Sequence, residues 1–168
     1  MNESSYGECV VARKATTKDF CIKTLLISLA SIITLAAIMI PVLLFVAAIG
    51  WYLIFTFWTR FQVVYEYIFV DGQIDFDKIM GGSARKHIKR IDLDTVTTVA
   101  PARSHALDGY QHLSTKPLDY TSLDPERENL VYVIVNKGAK DAELIRFEPD
   151  ENFIALMKKK APRKIQEY

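Results

Sequence analysis

Apolar and polar positions divide this chain into three regimes. Residues 24–59 form one apolar run, TLLISLASIITLAAIMIPVLLFVAAIGWYLIFTFWT, with no Asp, Glu, Lys or Arg among its 36 residues. A water-soluble domain of this size does not bury such a run, so the pattern predicts a membrane-embedded segment. As one helix it would extend about 54 Å, against a hydrocarbon core of about 30 Å. Pro41 lacks an amide hydrogen and disfavours helical geometry at Ile40. It divides the run into two arms of about 25 Å each. The expectation is a transmembrane helical hairpin over residues 22–59; one long tilted or kinked helix is the alternative.

Beyond residue 60 the period changes. Residues 63–70, VVYEYIFV, are rich in β-branched and aromatic types and lead into Asp71-Gly72, a pair suited to a type I′ turn. Ile74 and Phe76 then alternate with Asp75 and Asp77, as in a half-buried strand. Further strands are predicted over 85–92, 96–100, near 116–121, over the apolar run 130–135 and over 143–147, giving seven in all. Asn136 to Lys140 reads as a hairpin loop. A helix follows, with Pro149 and the acids Glu148, Asp150 and Glu151 near its start. Phe153, Leu156 and Met157 supply one apolar stripe, and Ala161-Pro162 ends the helix. The basic tail 163–168 is expected to be dispensable for folding.

Charge refines this division. Residues 1–23 hold four basic groups, Arg13, Lys14, Lys18 and Lys23, against three acids. Basic residues just before an apolar span place that end in the cytoplasm, and a hairpin returns the chain to the same side. Both termini are therefore expected in the cytoplasm, with Arg60 marking the return. Residues 1–8 are polar and read as frayed, while Thr16 or Thr17 with Asp19 reads as a helix start. The expected division is a cytoplasmic segment 1–21, the hairpin 22–59, and a cytoplasmic domain 60–168 with a long polar insertion over 102–129. That domain is neutral, with 17 basic and 17 acidic groups, which argues against nucleic-acid binding. Cys9 and Cys21 give neither a disulfide framework nor a zinc set and read as reduced thiols. The apolar run carries no ionisable residue, so it reads as an anchor rather than a transport path. Its small residues, such as Ala30, Ala47 and Gly50, suit close helix packing or homo-oligomer formation.

Candidate chemistry is sparse. Arg85, Lys86, Lys89 and Arg90, with Lys158, Lys159, Lys160, Arg163 and Lys164, are the residues suited to anionic lipid headgroups. Solvated edges and helix-end electrostatics explain the same residues. His105, Asp108 and His112 form the one cluster with metal or acid–base potential, at a spacing that matches no metal motif. The Asp71, Asp75 and Asp77 group lacks the remaining ligand positions of a calcium loop, and Gly81-Gly82-Ser83 lacks the Lys of a phosphate loop. No catalytic residue, cofactor or metal is expected.

About seven strands closed by one C-terminal helix resemble a pleckstrin-homology-like (PH-like) domain, an α+β fold built on a bent antiparallel sheet or barrel. A membrane hairpin directly before it is similar to the layout of bacterial membrane-anchored PH-like proteins. There too a Tyr-rich strand passes through a tight turn into a second strand, here Tyr65-Glu66-Tyr67-Ile68-Phe69-Val70-Asp71-Gly72-Gln73-Ile74. The whole layout resembles a small bacterial membrane-protein family, through residues 65–79, 100–110 and 147–163, over about 22–165. The insertion at 102–129 is long for such a domain. The resemblance implies a non-catalytic, membrane-tethered module that binds a protein partner or organises a membrane complex. It carries no catalytic motif, and PH-like folds host lipid, peptide and protein binding alike. A lipid-headgroup binder and a membrane-attached enzyme or metal protein are the alternatives.

Overall fold

The structure, a computed structural model, describes residues 5–58, 61–110, 116–137 and 142–166. The apolar run forms two helices, α1 (Thr17–Ala36) and α2 (Leu43–Trp58), rather than one. Thr16 starts α1, its amide donating to the Asp19 carboxylate at 2.9 Å. A turn around Pro41 separates the helices. Lys23 then meets Trp58, and the Trp51 indole donates to Thr34 Oγ1 at 3.1 Å, so the two helices run antiparallel. Ala30 and Ala47 are buried where they pack, as the small-residue pattern predicts. Most large side chains of both helices are exposed, among them Leu25, Phe45 and Phe55. Among the described residues α1 alone is long and apolar enough to cross a membrane, while α2 has 16 residues.

Of the residues 1–8 read as frayed, 6–8 are ordered in a strand together with 9–12. They form strand β1 (Tyr6–Ala12), antiparallel to β2 (Val63–Val70), with Tyr6 opposite Val70 and Ala12 opposite Val64. The helix pair is therefore inserted between two adjacent strands, and the sheet domain draws residues from both sides of it. Val11 is 1% exposed and belongs to the core. The sequence hid this strand because YGECVVA carries a Gly and an acid and alternates weakly. The sheet continues through β3 (Gln73–Met80) and β4 (Ala84–Asp92) in the order β1-β2-β3-β4.

The second sheet has the order β5-β7-β8-β6, from β5 (Val96–Pro101), β6 (Leu118–Asp119), β7 (Tyr132–Lys137) and β8 (Ala142–Phe147). All pairs but one are antiparallel; β6 runs parallel to β8. The two sheets share one core of Tyr65, Tyr67, Phe69, Ile74 and Phe76 from the first and Val99, Ile134, Ile145 and Phe147 from the second. Residues 138–141, where the 136–140 loop falls, lie outside the described residues. The continuous apolar run in β7 has a plain cause. Ile134 faces the main core, while Val133 and Val135 face a second cluster with Ala100 and Leu107. Leu107 lies on a 3-10 helix (His105–Tyr110) of the long insertion, which thereby covers the outer face of the second sheet.

Helix α3 (Glu151–Lys160) closes the core. Asp150 is its N-cap, accepting from the Phe153 amide at 2.7 Å, and Pro149 precedes the cap rather than opening the helix. Phe153, Ile154 and Met157 are buried, and Leu156 packs against the core from its edge.

At the β2–β3 turn both central residues take positive φ, Asp71 at 50° and Gly72 at 100°, as type I′ requires. A Cβ on Gly72 would also stand 3.1 Å from Lys160 Cε. Gly72→Val is expected to destabilise the domain by about 1–2 kcal/mol. An unchanged denaturant midpoint would show that the turn tolerates a β-branched residue.

The tail after α3 is part of the fold, contrary to the expectation that it is dispensable. Ile165 is 5% exposed and bridges Val99 in parallel on the free edge of β5. The Val99 amide donates to the Lys164 carbonyl and the Gln166 amide to the Val99 carbonyl, each at 2.8 Å. An apolar residue flanked by Lys and Gln gave no periodic signal, because a single bridge is too short to show one. Deleting 163–168 is expected to cost about 2 kcal/mol or more, through the lost burial of Ile165 and the bared edge. Thermal unfolding of the truncated chain measures this, and a melting temperature equal to that of the full chain would restore the original expectation.

Candidate functional site

The basic residues on β4 sit in register with acids on β3. Asp75 lies opposite Arg90 and Asp77 opposite His87. Arg90 makes a two-pronged contact with Asp75, at 2.6 and 2.7 Å. Arg85 donates to Asp77 at 2.7 Å and also contacts Glu66. His87 Nδ1 stands 2.8 Å from Asp77, and Lys89 is paired with Glu143 across the two sheets. Burial pushes the Asp77 carboxyl up, but the hydrogen bonds from His87 and Arg85 outweigh it and hold it below its ordinary value. Glu66 moves the other way, raised by burial and by Glu8 against the pull of Arg85. Of the four candidate cations on β4, Lys86 alone has no ion pair among the described residues.

The second basic group lies elsewhere. Lys158, Lys159 and Lys160 are exposed at the end of α3, and Arg163 is exposed just beyond. The Lys160 stem runs beside Gly72, which fixes the group at the β2–β3 turn. Lys164 is committed to the fold, its ammonium donating to the Leu93 carbonyl at 2.7 Å and the Asp94 carbonyl at 2.9 Å. Arg85 is at the opposite end of the strands, paired with Ile79. The seven steps of β3 from Gln73 to Met80 separate the two ends by about 24 Å. The helix pair joins the Arg85 end, where the Gly81 amide bonds the Gln62 carbonyl and the Arg13 amide bonds that of Val63. Arg85 and Lys86 thus lie at one pole and Lys158, Lys159, Lys160 and Arg163 at the other, with Lys89 and Arg90 along β4 toward the β2–β3 turn, a separation the sequence did not reveal.

His105 and Asp108 meet at 3.1 Å on the exposed 3-10 helix, and His112 falls outside the described residues. Among the described residues no three His, Cys, Asp or Glu side chains converge as a metal site.

Sequence reasoning missed Glu148, which it assigned to the helix start. Glu148 is 2% exposed and accepts from the Ser122 amide and hydroxyl at 2.8 and 2.6 Å. Its other oxygen is 3.5 Å from Arg127 Nε. The Cys9 thiol donates to its carbonyl at 3.6 Å, and burial pushes that thiol's pKa up. Tyr67, whose pKa burial also raises, donates to the Tyr120 carbonyl at 2.5 Å. These contacts tie the 120–124 segment to β1, β2 and β8. They are a structural lock, and Cys9 and Glu148 also line a cleft of about 630 Å³ with Arg127, Tyr132 and Ile154.

The groove between α1 and α2 is a different kind of feature. It has a volume of about 310 Å³ and apolar walls that include Leu26, Leu29, Ile33 and Ile54. Lys23 stands at its rim, 4.7 Å from the Trp58 ring centre and 5.0 Å from that of Phe61.

No curated protein and no solved structure matches the chain. Two sheets around one core, closed by a C-terminal helix, are the architecture expected of a PH-like domain, and the profile of the bacterial PH-like domain family DUF6106 matches residues 3–167. The chain belongs to that family.

Proposed function

We propose that this protein is a membrane-tethered, non-catalytic binding module that holds its PH-like domain against the cytoplasmic face of the bilayer. PH-like domains are generally binding modules, and the ion pairs of Arg85, Lys89 and Arg90 support a structural role for those residues. The observation that carries the tether is the pairing of β1 with β2. Both strands belong to one sheet and lie on one side of any membrane, while the apolar pair lies between them in the chain. The number of crossings between them is therefore even. Beyond Lys23, α1 continues for about 20 Å and α2 is about 24 Å long, so two crossings require a locally thinned bilayer. Arg13, Lys14, Lys18 and Lys23 at the entry favour the cytoplasmic side.

This placement sorts the basic surfaces. The Lys158, Lys159, Lys160 and Arg163 group stands about 24 Å from the tethered end and faces the cytoplasm, where an acidic protein surface is its natural complement. Arg85 and Lys86, near the tether, favour a second reading in which the domain also touches anionic headgroups.

Cysteine labelling tests the topology. In a background of Cys9→Ser and Cys21→Ser, Lys159→Cys is expected to resist an impermeant maleimide in intact cells and to react after lysis. Met39→Cys, in the turn between the helices, is expected to react from outside. Labelling of Lys159→Cys in intact cells would overturn the cytoplasmic reading. Met39→Cys protected on both sides until detergent is added would mean that the pair dips into the bilayer and returns without crossing.

A further inference from the structure

We propose that the groove between α1 and α2 binds one acyl chain of an anionic phospholipid, with the lipid phosphate on Lys23. The inference rests on the membrane placement above and goes beyond it by assigning a defined lipid site. Ala30 and Gly50 make the recess: Ala30 is buried between the helices, and a Cβ added at Gly50 would meet nothing within 4 Å. The groove is shaped for a flexible hydrocarbon, because its walls offer methyl groups and ring faces and its rim offers one cation. That cation has no carboxylate within ion-pairing distance among the described residues; its close contacts are the Trp58 and Phe61 rings. Lys18, Asp19 and Lys23 on the first turns of α1 leave a net charge of one positive at this end, with the Asp19 carboxylate held by the Thr16 amide. In a bilayer the helix ends that carry Lys23 and Trp58 lie at headgroup depth, where Trp is favoured, and the groove descends from there into hydrocarbon. A headgroup with net negative charge is then preferred over a zwitterionic one.

Tryptophan quenching in reconstituted bilayers tests this with the full chain. The chain has two tryptophans, and Trp51→Phe leaves Trp58 at the groove as the reporter. Brominated phosphatidylglycerol is introduced as a minor lipid in phosphatidylcholine, and separately brominated phosphatidylcholine at the same fraction. Quenching by the anionic lipid is expected to exceed that by the zwitterionic lipid by an apparent enrichment of about fivefold, the factor one Lys at a charged surface supports. Lys23→Gln is expected to bring the ratio near one. Gly50→Leu fills the recess and is expected to reduce quenching by both lipids. Equal quenching in the parent chain, or a preference that survives Lys23→Gln, overturns the site. Alkaline extraction of the same preparation separates the two levels of failure. A chain that extracts overturns the membrane reading and the site with it, whereas an embedded chain with a ratio of one overturns the lipid site alone.

Discussion

A fragment beginning at residue 60 is expected to aggregate or to lose cooperative unfolding. A chain in which a short Gly/Ser turn replaces residues 16–60 is expected to unfold in one sharp transition. The difference is β1. Without it, all of β2 becomes an open edge of apolar and aromatic residues, the kind of edge that recruits other chains. The core loses Val11, and the domain loses the bond from the Arg13 amide to Val63 and that from the Lys14 amide to Ser122. It also loses the wall on which α3 rests, since Gly7 lies so close to Leu156 that an added Cβ would stand 2.5 Å from it. The short turn is geometrically feasible because Ala12 and Val64 are already partners in the ladder. Circular dichroism with size-exclusion chromatography compares the two proteins. Equal melting temperatures and equal monomer fractions would show that β1 adds nothing to the fold.

Phe153→Ala is expected to cost about 3–5 kcal/mol, a large part of the stability of a domain this size. Phe153 is 1% exposed and meets three aromatic rings edge-on, with centroid distances of 6.4 Å to Tyr67, 6.0 Å to Phe69 and 6.3 Å to Phe147. Those rings belong to both sheets, so truncation leaves a cavity that neither sheet can close alone. Lys159→Ala, on the exposed face of the same helix, is expected to shift the midpoint by less than about 0.5 kcal/mol. Chemical denaturation of the bridged protein reads both values. A Phe153→Ala midpoint close to that of Lys159→Ala would mean that α3 does not close the core.

Much of this architecture is legible in the residues because it rests on local periodicity. The β2–β3 hairpin follows from Tyr65, Tyr67 and Phe69 on one face and from the needs of a type I′ turn at Asp71-Gly72. Helix α3 follows from its stripe and its acidic start, and the break between α1 and α2 from Pro41. What escaped detection depends on partners far away in the chain. Strand β1 finds β2 more than fifty residues later, across the apolar pair, and Ile165 finds β5. Glu148 looks like one of several acids before a helix, and its burial against Ser122 appears only when β8 and the 120–124 segment are brought together.

The sequence alone determined that the chain has an apolar pair of arms, a neutral sheet domain and a closing helix. Each is encoded in residues that are neighbours along the chain and share one period. The tertiary structure alone decided how these parts are joined. It placed the apolar pair between two adjacent antiparallel strands of one sheet. It also set Arg85 and Lys86 at the end of the sheet that joins the helix pair and Lys158, Lys159 and Lys160 at the other, because antiparallel strands carry residues close in sequence to opposite ends of the domain. Charge and hydropathy say which residues prefer water or lipid. The direction each one faces is set by long-range strand pairing, which balances chain entropy against contacts no local window contains.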